Sequence, residues 1–189
     1  MSSAEAVDHA PTRPRLTTAG MVIWLGSEVM FFGGLFAAYF TLKANTKPWP
    51  GEGVHLEPTL GTIFTLVLVA SSLTIYLAER SAVRNDLNGV VRWVMVTLVL
   101  GGLFIANQAF EWSNLEFEMS DHAFGSLFYL MTGFHGLHVL GGLAAMALML
   151  AFMRRSGRVE HGPLEAISYY WHFVDVVWIL LFVTLFFVQ

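Results

Sequence analysis

Four groups of residues in this chain of 189 have the types and spacing to do chemistry. Glu28 stands inside an apolar run, where an isolated carboxylate costs about 2.5–3.5 kcal/mol on insertion scales. It must therefore be protonated, paired or in contact with water. Ser168, His172 and Asp175 follow one another at offsets of four and three, which aligns them on one helical face. His135 and His138 repeat the three-residue offset, with Thr132 one turn earlier on the same stripe. Gln108 and Glu111 close a further apolar run, beside Asn107.

Each group has a functional and a structural reading. Glu28 is a candidate proton-linked or lipid-contacting carboxylate, or a neutral side chain bonded to a neighbouring helix. His172 and Asp175 suit a proton relay or support for a metal ligand, or a polar stripe that clasps an adjacent helix. Two helical histidines can bind a metal, and a haem can take one His from each of two helices. A closed metal site needs three or four ligands, and nothing in the sequence makes Glu28 and His172 converge on His135 and His138. No metal ligand is assigned, and the histidines are expected as packing residues. Gln108 is expected to bond across helices, and Glu111 to sit near the membrane surface. There is no HExxH, no GxSxG and no phosphate-binding glycine loop, so no catalytic residue is assigned.

The elements that must hold these residues are membrane helices. The composition is 56% hydrophobic and only 13% charged, with a mean hydropathy of +0.61. Soluble domains are about 25% charged. A soluble enzyme and a disordered chain are both excluded. The net charge of −4 supplies no basic field for nucleic acid. The absence of cysteine removes disulfides, thiolate metal sites and cysteine nucleophiles together.

A span needs about 20 mostly apolar residues, and five segments qualify: 20–42, 59–78, 90–112, 124–152 and 166–188. Pro48, Pro50 and Gly51 punctuate the first connection, Asn85 to Gly89 the second, Ser113 to Asp121 the third, and Gly157, Gly162 and Pro163 the fourth. The expected fold is all-α, a polytopic bundle of five transmembrane helices in one domain, 20–189, after a polar cytoplasmic segment, 1–19. That segment lacks a charged-then-apolar signal pattern, so the first run is expected as a retained helix. Arg13, Arg15, Arg80, Arg84, Arg92, Arg154, Arg155 and Arg158 fall on one side of the membrane, and only Lys43 and Lys47 on the other. The positive-inside rule then predicts a cytoplasmic N-terminus and an external C-terminus. Small-xxx-small pairs at Gly33/Ala37, Gly34/Ala38 and Gly141/Ala145 suit close helix packing or docking on a larger partner.

The segments SEVMFF (27–32), QAFEW (108–112), GSLFYLMTGFHGLHVLGG (125–142) and SYYWHFVDVVW (168–178) closely resemble subunit III of the haem–copper oxidases, the cytochrome c oxidase type above all. The resemblance runs from about residue 20 to the C-terminus and matches a short, five-helix bacterial form. Long members have two further helices ahead, which wall one side of a lipid-filled cleft. The resemblance implies a non-catalytic subunit in an enzyme complex that reduces oxygen to water and pumps protons in aerobic respiration. It would bind no haem or copper, pack on and stabilise subunit I, and support proton uptake. Haems and copper are expected in subunits I and II, and phospholipid around this chain. Further expected partners are membrane lipids and, as an open candidate, a larger respiratory supercomplex; the implied location is a bacterial plasma membrane. Glu28 matches the family's membrane carboxylate, and His135, His138, His172 and Asp175 its polar packing positions. Three alternatives stand beside this reading: a quinol oxidase subunit III, a nitric oxide reductase accessory subunit, and a free-standing proton-coupled transporter or b-type haem protein.

Overall fold

The structure, a computed structural model, describes residues 16–51, 54, 56 and 58–188. Most of the expected polar segment 1–19, including Arg13 and Arg15, lies outside the described residues. Five helices form: α1 (Leu16–Asn45), α2 (Pro58–Val83), α3 (Leu87–Ser113), α4 (Ala123–Ser156) and α5 (His161–Phe186). Each is long and apolar enough to cross a membrane.

Every helix is longer than its apolar run, because residues that break a helix interior are tolerated at its ends. Pro58 opens α2, where its missing N–H would have no intrahelical partner anyway. Gly162 and Pro163 lie in the first turn of α5 for the same reason, so that helix starts five residues earlier than the hydropathy predicts. Asp86 caps α3 by accepting from Gly89 N–H at 3.0 Å, and His122 Nδ1 caps α4 by accepting from Gly125 N–H at 2.9 Å. Gly157 ends α4 in the left-handed region at φ 66°, which a side chain would strain.

The helices pack in two steps. α2, α3, α4 and α5 form a closed ring in which each touches the next and α5 returns to α2. α1 lies outside the ring, in the groove between α4 and α5, and contacts neither α2 nor α3. Burial follows this plan: 56% of the apolar window of α5 is inside the protein, against 6% for α1.

Trp171 plugs the ring. It is fully buried, donates from Nε1 to Ser71 Oγ on α2 at 2.8 Å, and lies against glycines on two more helices. A Cβ at Gly101 of α3 or Gly142 of α4 would come within 2.8–2.9 Å of its ring. Glycine at both positions is thus what lets three helices close around one indole. Gly33 and Gly34 behave differently: nothing in the chain lies within 4 Å of a Cβ built there. That face of α1 packs on nothing within the described residues.

Candidate functional site

α1 and α4 meet through Glu28 and His138, a contact between residues 110 positions apart. His138 sits near the middle of the 34-residue α4, and Glu28 about 18 Å from the start of α1 at 1.5 Å per residue. His138 Nε2 lies 3.0 Å from Glu28 Oε2, with 16% and 17% of the two side chains exposed. The other ring nitrogen, Nδ1, is 2.6 Å from the Phe134 carbonyl one turn back.

That second contact decides which ring nitrogen carries a hydrogen. A carbonyl oxygen only accepts, so Nδ1 carries a hydrogen. Two arrangements remain at Nε2. A protonated Glu28 donates to its lone pair, or an imidazolium N–H donates to the Glu28 carboxylate. Both hold one shared proton and both are neutral over the pair. Removing that proton would set a lone pair against a carboxylate at 3.0 Å, deep in the bundle. The contact therefore pairs the intramembrane carboxylate of Glu28 and offsets the cost of placing it there.

Aromatic side chains fix the geometry. Phe32 meets the His138 ring edge-on at 5.0 Å. The Tyr170 hydroxyl donates to the His138 carbonyl at 2.8 Å, and Trp24 stacks on the Tyr170 ring at 5.1 Å. Trp24, Phe134, His138, Gly141 and Tyr170 are among the walls of an open cavity of about 400 Å³ beside the pair.

The stripe on α5 faces α2 instead. Ser72 Oγ donates to Asp175 Oδ2 and lies 2.9 Å from His172 Nδ1. With its one hydrogen directed at Asp175, Ser72 can only accept from His172, so Nδ1 is the donor there. Trp178 Nε1 donates to Thr65 Oγ1 at 2.9 Å further along the same seam. Together with the Trp171–Ser71 bond, these contacts lace two antiparallel helices through four residues of α5. Asp175 is only 4% exposed. Ser168 is buried on the same face.

His135 points elsewhere than His138. It is fully buried, with its ring 4.9 Å from Trp178 and 5.9 Å from Phe104, and neither nitrogen has a hydrogen-bond partner among the described residues. The two histidines of the sequence pair thus serve different neighbours, α1 for one and the ring interior for the other. His172 lies at a third place. No group of three or more His, Cys, Asp or Glu that could hold a metal ion occurs among the described residues. The imidazoles do not fit a shared ligand set: one is sealed by aromatic rings, one is engaged at both nitrogens, and one is bonded to Ser72.

Gln108 Nε2 donates to the Thr132 carbonyl at 2.6 Å, tying α3 to α4. Glu111 is half-buried and borders a small cavity of about 140 Å³ with Asn107 and Asn114. Spacing along the chain does not reveal the partners of Glu28, His172 and Asp175. Ser72 gives no signal at all, being one hydroxyl in an apolar run. His138 is visible as a polar residue but not as the partner of Glu28, since only packing joins α1 to α4.

The five spans, the ring around Trp171 and the polar bonds between helices define a multi-pass membrane protein in which Glu28, Ser71, Ser72, Gln108 and His172 join helices. Residues 3–189 match the family model for cytochrome c oxidase subunit III. A probable cytochrome c oxidase subunit 3 from Nocardia farcinica is 44% identical over 190 aligned positions, covering 96% of this chain and 92% of that protein. Its counterpart in Mycobacterium tuberculosis is 42% identical, with the same coverage. The cytochrome c oxidase subunit 3 of Thermostichus vulcanus is 38% identical, covering 97% of this chain and 93% of the relative. The chain belongs to the cytochrome c oxidase subunit III family. It is a non-catalytic subunit of an oxidoreductase complex and associates with other oxidase subunits. The transporter and haem-carrier alternatives give way to that reading.

Proposed function

We propose that this chain docks on the haem- and copper-bearing subunits I and II of a bacterial cytochrome c oxidase and stabilises subunit I during turnover. The observation that carries the proposal is the Glu28–His138 contact, a paired carboxylate at mid-bundle height on the helix that packs least within the chain. The open face of α1 at Gly33 and Gly34 offers close approach to a partner helix. In this reading the N-terminus is cytoplasmic, the C-terminus is external, and the complex sits in the plasma membrane with phospholipid around the chain. The shared proton gives Glu28 a role in supporting proton uptake by subunit I.

The test is to tag the chain, extract it in mild detergent and record haem spectra and oxygen uptake on what co-purifies. Haem-bearing subunits and oxygen consumption with reduced cytochrome c support the reading. A chain that arrives alone contradicts it. In the complex, Glu28→Gln is expected to leave assembly intact and to change proton uptake or the rate of inactivation during turnover. Unchanged pumping and inactivation would leave Glu28 as a helix-joining hydrogen bond only.

A further inference from the structure

A histidine ties the connections at each end of the bundle, and the two ties use the imidazole in opposite ways. His122 closes the α3–α4 connection, which also carries Glu116, Glu118 and Asp121. Its Nδ1 accepts from the Gly125 N–H at 2.9 Å and so caps α4. A ring nitrogen that accepts holds no hydrogen, so this imidazole is neutral, with its hydrogen on Nε2. At the other end, His161 opens α5 and reaches the α2–α3 connection, where its Nε2 donates to Asn85 Oδ1 at 3.2 Å. A donor keeps its bond when the ring takes a second proton. An acceptor loses it.

The His122 ring also fastens a second connection. Gly51 lies in the α1–α2 connection at φ 121°, and a Cβ there would stand 2.7 Å from His122 Cδ2. Phe117 covers another side of the ring at 5.3 Å. Gly125 is held as tightly: a Cβ on it would meet the Glu118 carbonyl at 2.8 Å and His122 Nδ1 at 2.9 Å. A second proton on the ring would set two N–H groups against each other across the 2.9 Å contact. The Gly125 N–H is fixed by the first turn of α4, so the ring must move. A half-turn of the ring puts Cδ2 where Nδ1 stood, and a swing takes it off Gly51. Neither gives Gly125 an acceptor.

Among the described residues, the ionisable groups on the elements around His122 are Glu116, Glu118 and Asp121 on its own connection and Lys47 on the α1–α2 connection. Tyr39 and Tyr129 join the same aromatic cluster through Phe124 and Phe117. Asp121 Oδ2 is engaged by the Glu118 N–H at 2.7 Å, and the one hydrogen bond of the His122 ring is that to Gly125. Of these residue types only histidine ordinarily changes charge near neutral pH.

We propose that His122 is an acid-released latch: the neutral imidazole holds α4 to the α1–α2 connection, and a second proton frees the Gly125 N–H and loosens that end of the bundle. The His161 tie at the other end persists through the same change. With a cytoplasmic N-terminus the latch faces outside; that side rests on the proposed orientation, whereas the chemistry of the ring does not.

The test is amide hydrogen exchange on the detergent-extracted complex at about pH 8 and about pH 5.5, on either side of the histidine range. In detergent both faces meet the same buffer. Rates are divided by those of the unfolded peptides at the same pH, which removes the intrinsic pH dependence of exchange. Protection at Gly125 should fall about fivefold from the higher pH to the lower, the factor that a lost N-cap supplies. His122→Asn keeps a capping acceptor that does not titrate, so its protection should stay level. Residues 84–88, beside the His161 tie, should also stay level. Unchanged protection at Gly125 in the unaltered complex overturns the proposal, as does an equal fall in His122→Asn or at residues 84–88. A gain at the lower pH overturns it too, since the imidazolium would then have found a carboxylate. The comparison of two pH values on unaltered protein stands even where the variant fails to assemble. Orientation is read separately by labelling Ser120→Cys in intact cells, so a reversed topology would move the latch to the other face without altering the exchange result.

Discussion

Replacing Glu28 by Gln and by Leu separates the hydrogen bond of the Glu28–His138 pair from its proton. A Gln amide N–H can donate to His138 Nε2 much as a protonated carboxyl does, but holds no exchangeable proton for the pair. Leu removes both, and leaves a ring nitrogen of a largely buried histidine facing apolar side chains. Interhelical hydrogen bonds in membranes are worth about 0.6 kcal/mol on average and up to about 1.7, and an unmet buried acceptor costs about 1–3 kcal/mol. We expect Glu28→Leu to destabilise the chain by about 1–2 kcal/mol and Glu28→Gln by less than about 0.5 kcal/mol. For a domain of this size, 1 kcal/mol moves the melting temperature by about 2–4 °C. The Leu variant should therefore leave the purified complex at a temperature about 2–8 °C lower, read by native gel after heating. The double variant with His138→Leu should lose little more than either single one, since both sides of one contact are gone. Equal losses for Gln and Leu, or additive losses in the double variant, would falsify the shared-proton geometry.

Ser72→Ala should cost about 1–3 kcal/mol, because it strands the nearly buried Asp175 and frees His172 Nδ1 together; adding Asp175→Leu to Ser72→Ala should recover part of that loss, and thermal melts of the three variants check the order. His135→Leu should change stability by less than about 1 kcal/mol, since neither nitrogen bonds any of the described residues. A loss of haem from the complex with His135→Leu would instead make this residue a ligand. Because the chain has no cysteine, single cysteines can be placed without background. With the proposed orientation, Ser120→Cys should react with an impermeant maleimide from outside intact cells, and Ser156→Cys only after lysis; the reverse pattern overturns that orientation.

The sequence by itself determined the material of the fold and its family. Five apolar runs separated by turn residues suffice for five helices, because a backbone in lipid must satisfy its own N–H and C=O groups. The motif at 125–142 and that at 168–178 carried the family without any packing information. Helix ends were read short, since Gly162, Pro163 and Pro58 break a helix only in its interior. Which polar residues meet was decided by tertiary structure alone. His135 and His138 look alike along the chain, yet packing gives one to α1 and the other to the ring interior. Glu28 found its partner because α1 lies in the groove between α4 and α5, and Asp175 found Ser72 because α2 closes the ring. Periodicity fixes the face a residue occupies on its own helix; only packing fixes what that face meets.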